Sequence, residues 1–245
     1  MRLFAIVSYN GTNYQGWATQ VNKNTVQDTI EDVLSRYFNR EIHIYGAGRT
    51  DAGVHAAGQT FHFDVEAETL DLDRMLYSIN SMLPKDIKIE DIEEVEDDFH
   101  ARFSATGKEY VYSIYLGAKA PFYYQLMWLM PEKLDIEKLK NCLTHFKGKH
   151  NFKNFTSKEE DEDDFVRNIF DIEVDTTSPR IINIIFKGDG FMRYMIRYIV
   201  GTAVECAKGK VSLEEVDDLI DSTRERHIVS WKAPANGLLL ARVMY

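Results

Sequence analysis

The sequence predicts an α+β protein built of two halves, each with a mainly antiparallel sheet and helices packed on one face, with a cleft between the halves. Three observations support this class. Short alternating apolar segments, typical of strands, are interspersed with segments that have apolar residues at helical spacing. The 245 residues, 44% of them hydrophobic, are enough for a substantial core. No apolar run approaches the roughly 20 residues that span a bilayer.

The first half, residues 1–104, is predicted to follow a β-α-β-β-α-β order. The segment RLFAIVSY alternates as a strand, and Thr25 caps a helix predicted over residues 25–38. A second helix is predicted over residues 72–83, where Pro84 ends it. The other predicted strands are IHIY, QTFHFDV and DIKIEDIEEV.

The second half, residues 105–245, is predicted to be a decorated version of the same order. It begins with the tyrosine-rich strand KEYVYSIYLG and ends with the strand GLLLARVMY. Two further strands, at 165–176 and 180–190, meet through the turn TSPR. The predicted helices are DIEKLKNCLTHF, FMRYMIRYIVGTAVECAKG and a short acidic helix at 212–221.

Charge is unevenly distributed along the chain. A formal net charge of −10 argues against a polyanionic partner. The acids, however, concentrate in EDIEEVEDD and KEEDEDDF, whereas several basic residues lie beside glycines and aromatic residues. These are Arg49, Arg102, Lys108, Arg193, Arg197 and Lys232. The distribution leaves two interpretations, a local basic cleft on an acidic body or charges that only solvate the surface.

Two features predict a cytoplasmic location. Cys142 and Cys206 lie in amphipathic helical patterns and have no metal-ligand spacing, which fits buried thiols in a reducing compartment. The first residues, MRLFAIVSYNGTNYQGW, have the pattern of a first strand and lack the cleavage site of a signal peptide.

The stretch GAGRTDAGVH, residues 46–55, places one aspartate beside one arginine in a glycine-rich loop. It lacks the spacing of a dinucleotide loop and the GK[ST] of a P-loop, and the chain has no G-x-S-x-G elbow. His55 and His62 suggest a metal site, but no third ligand has suitable spacing, so no metal is predicted. Asp51 is therefore either a functional carboxylate or an aspartate that caps its own turn.

Five segments occur in order and extend over most of the chain. They are VSYNGTNYQGWATQ with TVQDTIEDVL, GAGRTDAGVHAAGQTFHF, DDFHARFSATGKEYVYSIY, GDGFMRYMIRYIVG and ANGLLLARVMY. Together they resemble motifs of the tRNA pseudouridine synthase A family. The resemblance implies the pseudouridine synthase fold, with two RRM-like or ferredoxin-like halves. It also implies isomerisation of uridine in tRNA at positions 38 to 40 of the anticodon stem-loop, without a cofactor, by a homodimer.

The resemblance also implies roles for individual residues. Asp51 acts as a nucleophile at C1′ or as the base that deprotonates the ribose, and the sequence leaves both roles open. Arg197 pairs with that carboxylate, while Tyr110 and Leu238 lie against the two faces of the uracil. Arg49 contacts the flipped nucleotide. The predicted catalytic residues are thus Asp51, Tyr110 and Arg197, and the predicted substrate-binding residues are Arg49, Thr50, His55 and Leu238.

Some positions depart from the family pattern. YNG replaces YDG, and Ala18 and Thr19 stand where many relatives place Gln and Arg. The segment KEEDEDD, residues 158–164, is unusually acidic and is predicted to be a solvated loop near the RNA path that weakens RNA affinity. Two alternatives therefore remain open. One is an RNA-binding or RNA-folding module, or a paralogue acting on a different RNA site; the other is an acidic small-molecule enzyme with the same fold.

Overall fold

A computed structural model describes residues 1–21, 24–157 and 164–245 of the chain. The chain forms two compact units. Unit one comprises Met1–Thr106 and Leu239–Tyr245, and unit two comprises Gly107–Leu238. No helix within the described ranges is long and apolar enough to cross a membrane.

Unit one has the predicted β-α-β-β-α-β order. Its elements are β1 (Arg2–Tyr9), α1 (Val26–Phe38), β2 (Tyr45–Gly46), β3 (His55–Asp64), α2 (Leu72–Met82), β4 (Ile87–Val95) and, from its second residue onward, the final strand β10 (Leu238–Met244). Strand β1 lies between β3 and β4 and is antiparallel to both. On its other side, β3 pairs antiparallel with β2 and parallel with β10. The central position of β3 matters because the strand follows directly on the glycine-rich loop.

The helices of unit one begin where capping residues predict. Thr25 is the N-cap of α1, and its hydroxyl accepts a hydrogen bond from the Asp28 amide at 3.2 Å. Asp71 caps α2 in the same way through the Arg74 amide at 3.0 Å. Apolar side chains of the helices and of β3, among them Ile30, Met75 and Phe61, are almost completely buried in the core.

Unit two departs further from the predicted order. Its strands are β5 (Gly107–Leu116), β6 (Trp128–Met130), β7 (Gly148–Asn151), β8 (Val166–Asp175) and β9 (Ile181–Gly188). Strands β7, β8 and β9 form an antiparallel meander, β9 pairs with β5, and the short β6 runs parallel to β5. The helices are α3 (Ile136–Thr144), α4 (Met195–Ala207) and α5 (Leu213–Leu219), and α3 packs against α4. Cys142 and Cys206 are buried free thiols.

Several predicted boundaries were wrong. The segment IHIY contributes only Tyr45 to the two-residue strand β2, and β6 and β7 were not predicted. Helix α4 begins at Met195, four residues later than expected, because Tyr194 has a left-handed backbone conformation. The strand β10 belongs to unit one and not to the second half, because Leu239 and Leu240 pair with the start of β3. Of the acidic segment 158–164, all but Asp164 lies outside the described residues.

Candidate active site

The loop at residues 46–55 is fixed to the neighbouring strands on its N-terminal side. The Ala47 amide donates a 2.8 Å hydrogen bond to the carbonyl of Thr60 on β3. Gln59, fully buried on the same strand, donates from Nε2 to the Gly48 carbonyl at 3.0 Å. A buried amide that satisfies a loop carbonyl in this way stabilises one loop conformation, because breaking the bond would leave both groups unpaired.

The segment that follows β1 supports the other side of the loop. The Trp17 amide donates to the Thr50 carbonyl at 3.1 Å, and the Gly53 amide donates to the Tyr14 carbonyl at 3.3 Å. Gly16 has φ +92°, and a Cβ atom there would lie 2.5 Å from the Thr50 carbonyl oxygen. Only glycine permits both this backbone angle and this approach. The motif NGTNYQGW therefore positions the loop that contains Asp51.

Asp51 lies at the start of the tight turn of the loop. The Val54 amide donates to the Asp51 carbonyl at 3.1 Å, and Gly53 has φ +77°. The turn is thus closed by backbone groups. Asp51 is half-buried and Arg49 is exposed. The residues on both sides of Asp51 are hydrogen-bonded to other parts of unit one. The backbone that carries the Asp51 carboxylate is therefore fixed.

Thr50 and His55 are both buried and have partners inside unit one. The Thr50 hydroxyl shares a 2.8 Å hydrogen bond with the hydroxyl of Tyr9 on β1. Nδ1 of His55 accepts a 3.0 Å hydrogen bond from the Gly11 amide, which places a neutral imidazole's proton on Nε2. Their role in substrate binding stays a prediction. The contacts give both residues a structural role in holding the loop.

The departure from YDG to YNG preserves the turn after β1. Asn10 Oδ1 accepts hydrogen bonds from the Thr12 amide at 3.1 Å and from the Thr12 hydroxyl at 2.6 Å. An amide oxygen thus performs the capping function that a carboxylate oxygen would perform. The substitution removes one negative charge and keeps the acceptor.

Tyr9 was not predicted from the sequence as a site residue, although it lies in the first motif. Its ring is buried beside Trp17, with centroids 6.0 Å apart, and burial raises the pKa of its hydroxyl. The neutral hydroxyl is therefore available as the partner of Thr50 over the whole physiological pH range.

Replacing Tyr9 by Phe is expected to lower the free energy of unfolding by about 1–3 kcal/mol, because the buried Thr50 hydroxyl loses its partner. Chemical denaturation followed by fluorescence measures the change. Tyr77→Phe is the matched control, because Tyr77 is 78% exposed on α2 and should unfold like the wild type. Equal stability of the two variants would show that the Tyr9–Thr50 hydrogen bond does not stabilise the loop.

The other predicted catalytic and ring-contacting residues belong to unit two. Tyr110 lies on β5 opposite Phe186 of β9, and only 7% of its surface is exposed. Its ring makes a T-shaped contact with the ring of Phe191, with a centroid distance of 5.4 Å and an interplanar angle of 81°. Two residues along the strand, Tyr112 is completely buried and donates to the Pro234 carbonyl at 2.8 Å. Tyr110 and Tyr112 share one face of the strand, and Tyr112 is a core residue.

Arg197 is half-buried on α4 and anchored to the segment that precedes the last strand. Its Nε donates to the Ala233 carbonyl at 2.8 Å, and the Ala233 amide donates to the Arg197 carbonyl at 2.9 Å. One turn further along α4, a side chain at Gly201 would collide with the Trp231 carbonyl, so the segment lies directly on the helix. This reciprocal anchoring sets Arg197 apart from an ordinary helix-surface arginine.

Leu238 is 6% exposed and follows the short 3₁₀ turn at Ala235–Gly237. The preceding Gly237 has no room for a side chain, because a Cβ atom there would lie 2.7 Å from Cζ of Tyr112. The position of Leu238 is therefore fixed by close packing of the turn on β5. Its contact with the uracil ring stays a prediction.

The histidines of unit one do not form a metal site. His62 is buried, and burial together with His100 lowers its pKa to about 4. Its Nδ1 accepts a hydrogen bond from the Ala101 amide at 3.2 Å, so it is a packing residue. Within the three described ranges, no group of three or more His, Cys, Asp or Glu side chains is arranged to hold a metal ion.

Comparison with known proteins defines the class of enzyme first. A family model described as tRNA pseudouridine synthase matches residues 5–104 and 143–245, and so includes Asp51, Arg197 and Leu238 but not Tyr110. Pseudouridine synthases are isomerases. The mixed α+β units with mainly antiparallel strands agree with the pseudouridine synthase fold that the motifs implied.

The chain is also similar to individual proteins of nearly equal length. It is 39% identical to tRNA pseudouridine synthase A of Acetivibrio thermocellus, over 98% of each chain. It is 36% identical to the Staphylococcus saprophyticus enzyme of that name, over 99% of this chain and 90% of the other. A third, from Desulfotalea psychrophila and named tRNA pseudouridine synthase A 1, is 38% identical over 98% of each chain. The chain belongs to the tRNA pseudouridine synthase family.

Proposed function

We propose that this protein converts uridines in the anticodon stem-loop of tRNA, at positions 38 to 40, to pseudouridine. The main observation is the support given to one carboxylate. The residues flanking Asp51 are held by backbone hydrogen bonds to Tyr14 and Trp17 and by the side chains of Tyr9 and Gln59. Loops that serve only as connections do not require this degree of fixation.

The reaction needs no external reactant because the bonds rearrange within the nucleotide. The N1–C1′ bond breaks and a C5–C1′ bond forms. The proton on C5 is lost to solvent or a base, and N1 takes up a proton, so the product is an isomer of uridine. Asp51 can serve as nucleophile at C1′ or as base toward the ribose, and both roles require the ionised carboxylate. A fixed loop contributes in either case, because the reacting oxygen is placed before the substrate binds.

The remaining predicted residues have complementary functions in this proposal. Exposed Arg49 is suited to a phosphate or ribose of the flipped nucleotide, since a base within a stacked stem is out of reach of the carboxylate. Tyr110 has an aromatic ring on β5, the type of side chain that stacks on a base. A protein that only bound RNA would gain nothing from a fixed carboxylate, which repels phosphates. The proposal also includes a homodimer, as the resemblance implies, and a cytoplasmic location, as the two cysteines and the first residues predict.

The proposal is tested by incubating the purified protein with unmodified tRNA transcripts and mapping pseudouridine by carbodiimide-dependent reverse-transcription stops. New stops are expected at positions 38 to 40. Matched transcripts with cytidine at these positions should give none. Stops only at other positions would identify an isomerase with a different RNA site. Binding without stops would identify an RNA-binding module instead.

A further inference from the structure

Three cationic side chains of unit two surround one tyrosine ring. The charged groups of Arg193 and Arg197 lie 4.9 Å and 5.1 Å from the ring centroid of Tyr194, and Nζ of Lys232 lies 4.2 Å from it. We call these four residues the Tyr194 cluster. Because each charge is close to the same centroid, no two of them are more than about 10 Å apart, roughly one Debye length at 0.1 M salt.

Tyr194 has an unusual backbone conformation. Its φ is +63° and it occupies the N-cap position of α4 without a side-chain cap. A bulky residue with positive φ is rare and costs on the order of 1–3 kcal/mol. The preceding carbonyl, of Arg193, accepts hydrogen bonds from the Thr156 hydroxyl at 3.0 Å and the Ser157 amide at 3.4 Å, which hold this conformation. In this conformation the Tyr194 ring lies close to all three cationic groups.

Lys232 is held in place by its neighbours. Trp231 and Ala233 lie against Gly201 and Arg197 of α4, where the Ala233 amide donates to the Arg197 carbonyl. Lys232 therefore extends from a backbone segment that is fixed on the helix. Its ammonium group also lies 5.9 Å from the ring centroid of Tyr198, a second aromatic residue on α4. Arg193 in turn donates from Nη2 to the Tyr194 hydroxyl at 3.2 Å.

The electrostatics of the cluster favour an anion. Arg193 and Lys232 are both exposed, and no carboxylate in the described part of the chain forms an ion pair with either. Each cation–ring contact stabilises the cluster by about 0.5–1 kcal/mol. The mutual repulsion of the three positive charges destabilises it. The positive charges also act on Tyr198: burial raises its pKa, and Arg197, Arg193 and Arg226 oppose that rise. In a chain of net charge −10, such a concentration of cations needs an explanation.

We propose that Arg193 and Lys232, held on the ring of Tyr194, form a binding site for a backbone phosphate of the substrate RNA beside Arg197. This rests on the proposed function, since the phosphate belongs to the tRNA. Guanidinium and ammonium groups are the usual phosphate partners, and a bound phosphate would relieve their mutual repulsion. Tyr194 is a positioning residue, because its ring fixes the two cations before RNA binds.

The test measures the affinity for unmodified tRNA transcript as a function of salt. Arg193→Gln and Lys232→Gln are each expected to reduce the slope of log affinity against log salt by about 1, and to weaken binding roughly three- to tenfold at low salt. Tyr194→Phe keeps the ring but loses the hydroxyl that accepts a hydrogen bond from Arg193, so its slope should fall less than that of Tyr194→Leu. Tyr194→Leu loses the ring and should lower the slope as the two cation variants do.

Lys138→Gln is the matched control. Lys138 is exposed in unit two and lines a cavity together with Gly209 and Lys210, past the C-terminal end of α4. Thirteen helical residues, about 20 Å, separate that end from Tyr194. This variant removes the same charge and should keep the wild-type slope. A slope that is equal in all variants, or reduced equally by Lys138→Gln, would refute the phosphate site.

The two proposals can fail separately. If the wild type forms pseudouridine in the transcript but Arg193→Gln and Lys232→Gln keep the wild-type slope, the phosphate site is wrong and the proposed function holds. If the wild type forms no pseudouridine, the proposed function fails. Circular dichroism of each variant confirms folding. If Arg193→Gln does not fold, Lys232→Gln decides the result, because Lys232 lies outside α4 and outside the turn that precedes it.

Discussion

Asp51→Asn is expected to lower the isomerisation rate by at least roughly four orders of magnitude, equivalent to about 5 kcal/mol of activation free energy. The amide keeps the size of the side chain and removes the charge that both roles of Asp51 require. The loop should keep its conformation, because the Val54 amide bonds to the backbone carbonyl of residue 51, which the substitution leaves intact. Binding of tRNA should be retained or become slightly tighter, since an anion near the phosphates is lost.

Single-turnover assays with enzyme in excess measure this loss. Asp98→Asn is the matched control, because Asp98 is an exposed aspartate of unit one outside the loop, and it should react at the wild-type rate. The unfolding curves of both variants should coincide with that of the wild type. Activity of Asp51→Asn within tenfold of the wild type, in a preparation free of host enzyme, would mean that the carboxylate only shapes the turn.

Local signals in the sequence predicted most elements of the fold. Thr25 and the apolar spacing after it predicted the bounds of α1 to within one residue. Both signals, the capping residue and the helical period, are contained in the helix's own stretch of sequence. Strand β6 was missed because three residues form too short a pattern. The assignment of β10 to unit one depends on pairing with β3, nearly two hundred residues earlier, which no local pattern contains.

The candidate site, like the fold, could be predicted only where its signals are local in the sequence. The loop at residues 46–55 was proposed as the site because its residues are contiguous, and helix α4 was predicted through the motif GDGFMRYMIRYIVG. The start of that helix was misplaced because the sequence gives no sign that Tyr194 would take a positive φ. The roles of Tyr9, Gln59 and Gly16 were not predicted, because each acts on the loop through a contact distant in sequence. A sequence motif can identify the carboxylate, whereas its supports become evident only in three dimensions.

Gly16 gives the second large predicted effect. Gly16→Ala is expected to reduce the isomerisation rate by about a hundredfold, because the new Cβ atom would lie 2.5 Å from the Thr50 carbonyl oxygen. The neighbour is backbone, so the loop itself must move, and a displacement of about 1 Å of a catalytic group is enough for a loss of this size. The free energy of unfolding should also fall by about 1 kcal/mol or more, since φ is +92°.

Gly209→Ala separates the loop displacement from the backbone penalty. Gly209 also has a positive φ, +74°, but a Cβ atom there meets no other atom within 4 Å. This variant should show a similar modest loss of stability and the full rate of isomerisation. Rates are measured by single turnover with enzyme in excess, at a temperature where both variants are folded. A wild-type rate for Gly16→Ala, or an equal loss of rate in both variants, would show that the contact between Gly16 and Thr50 does not position Asp51.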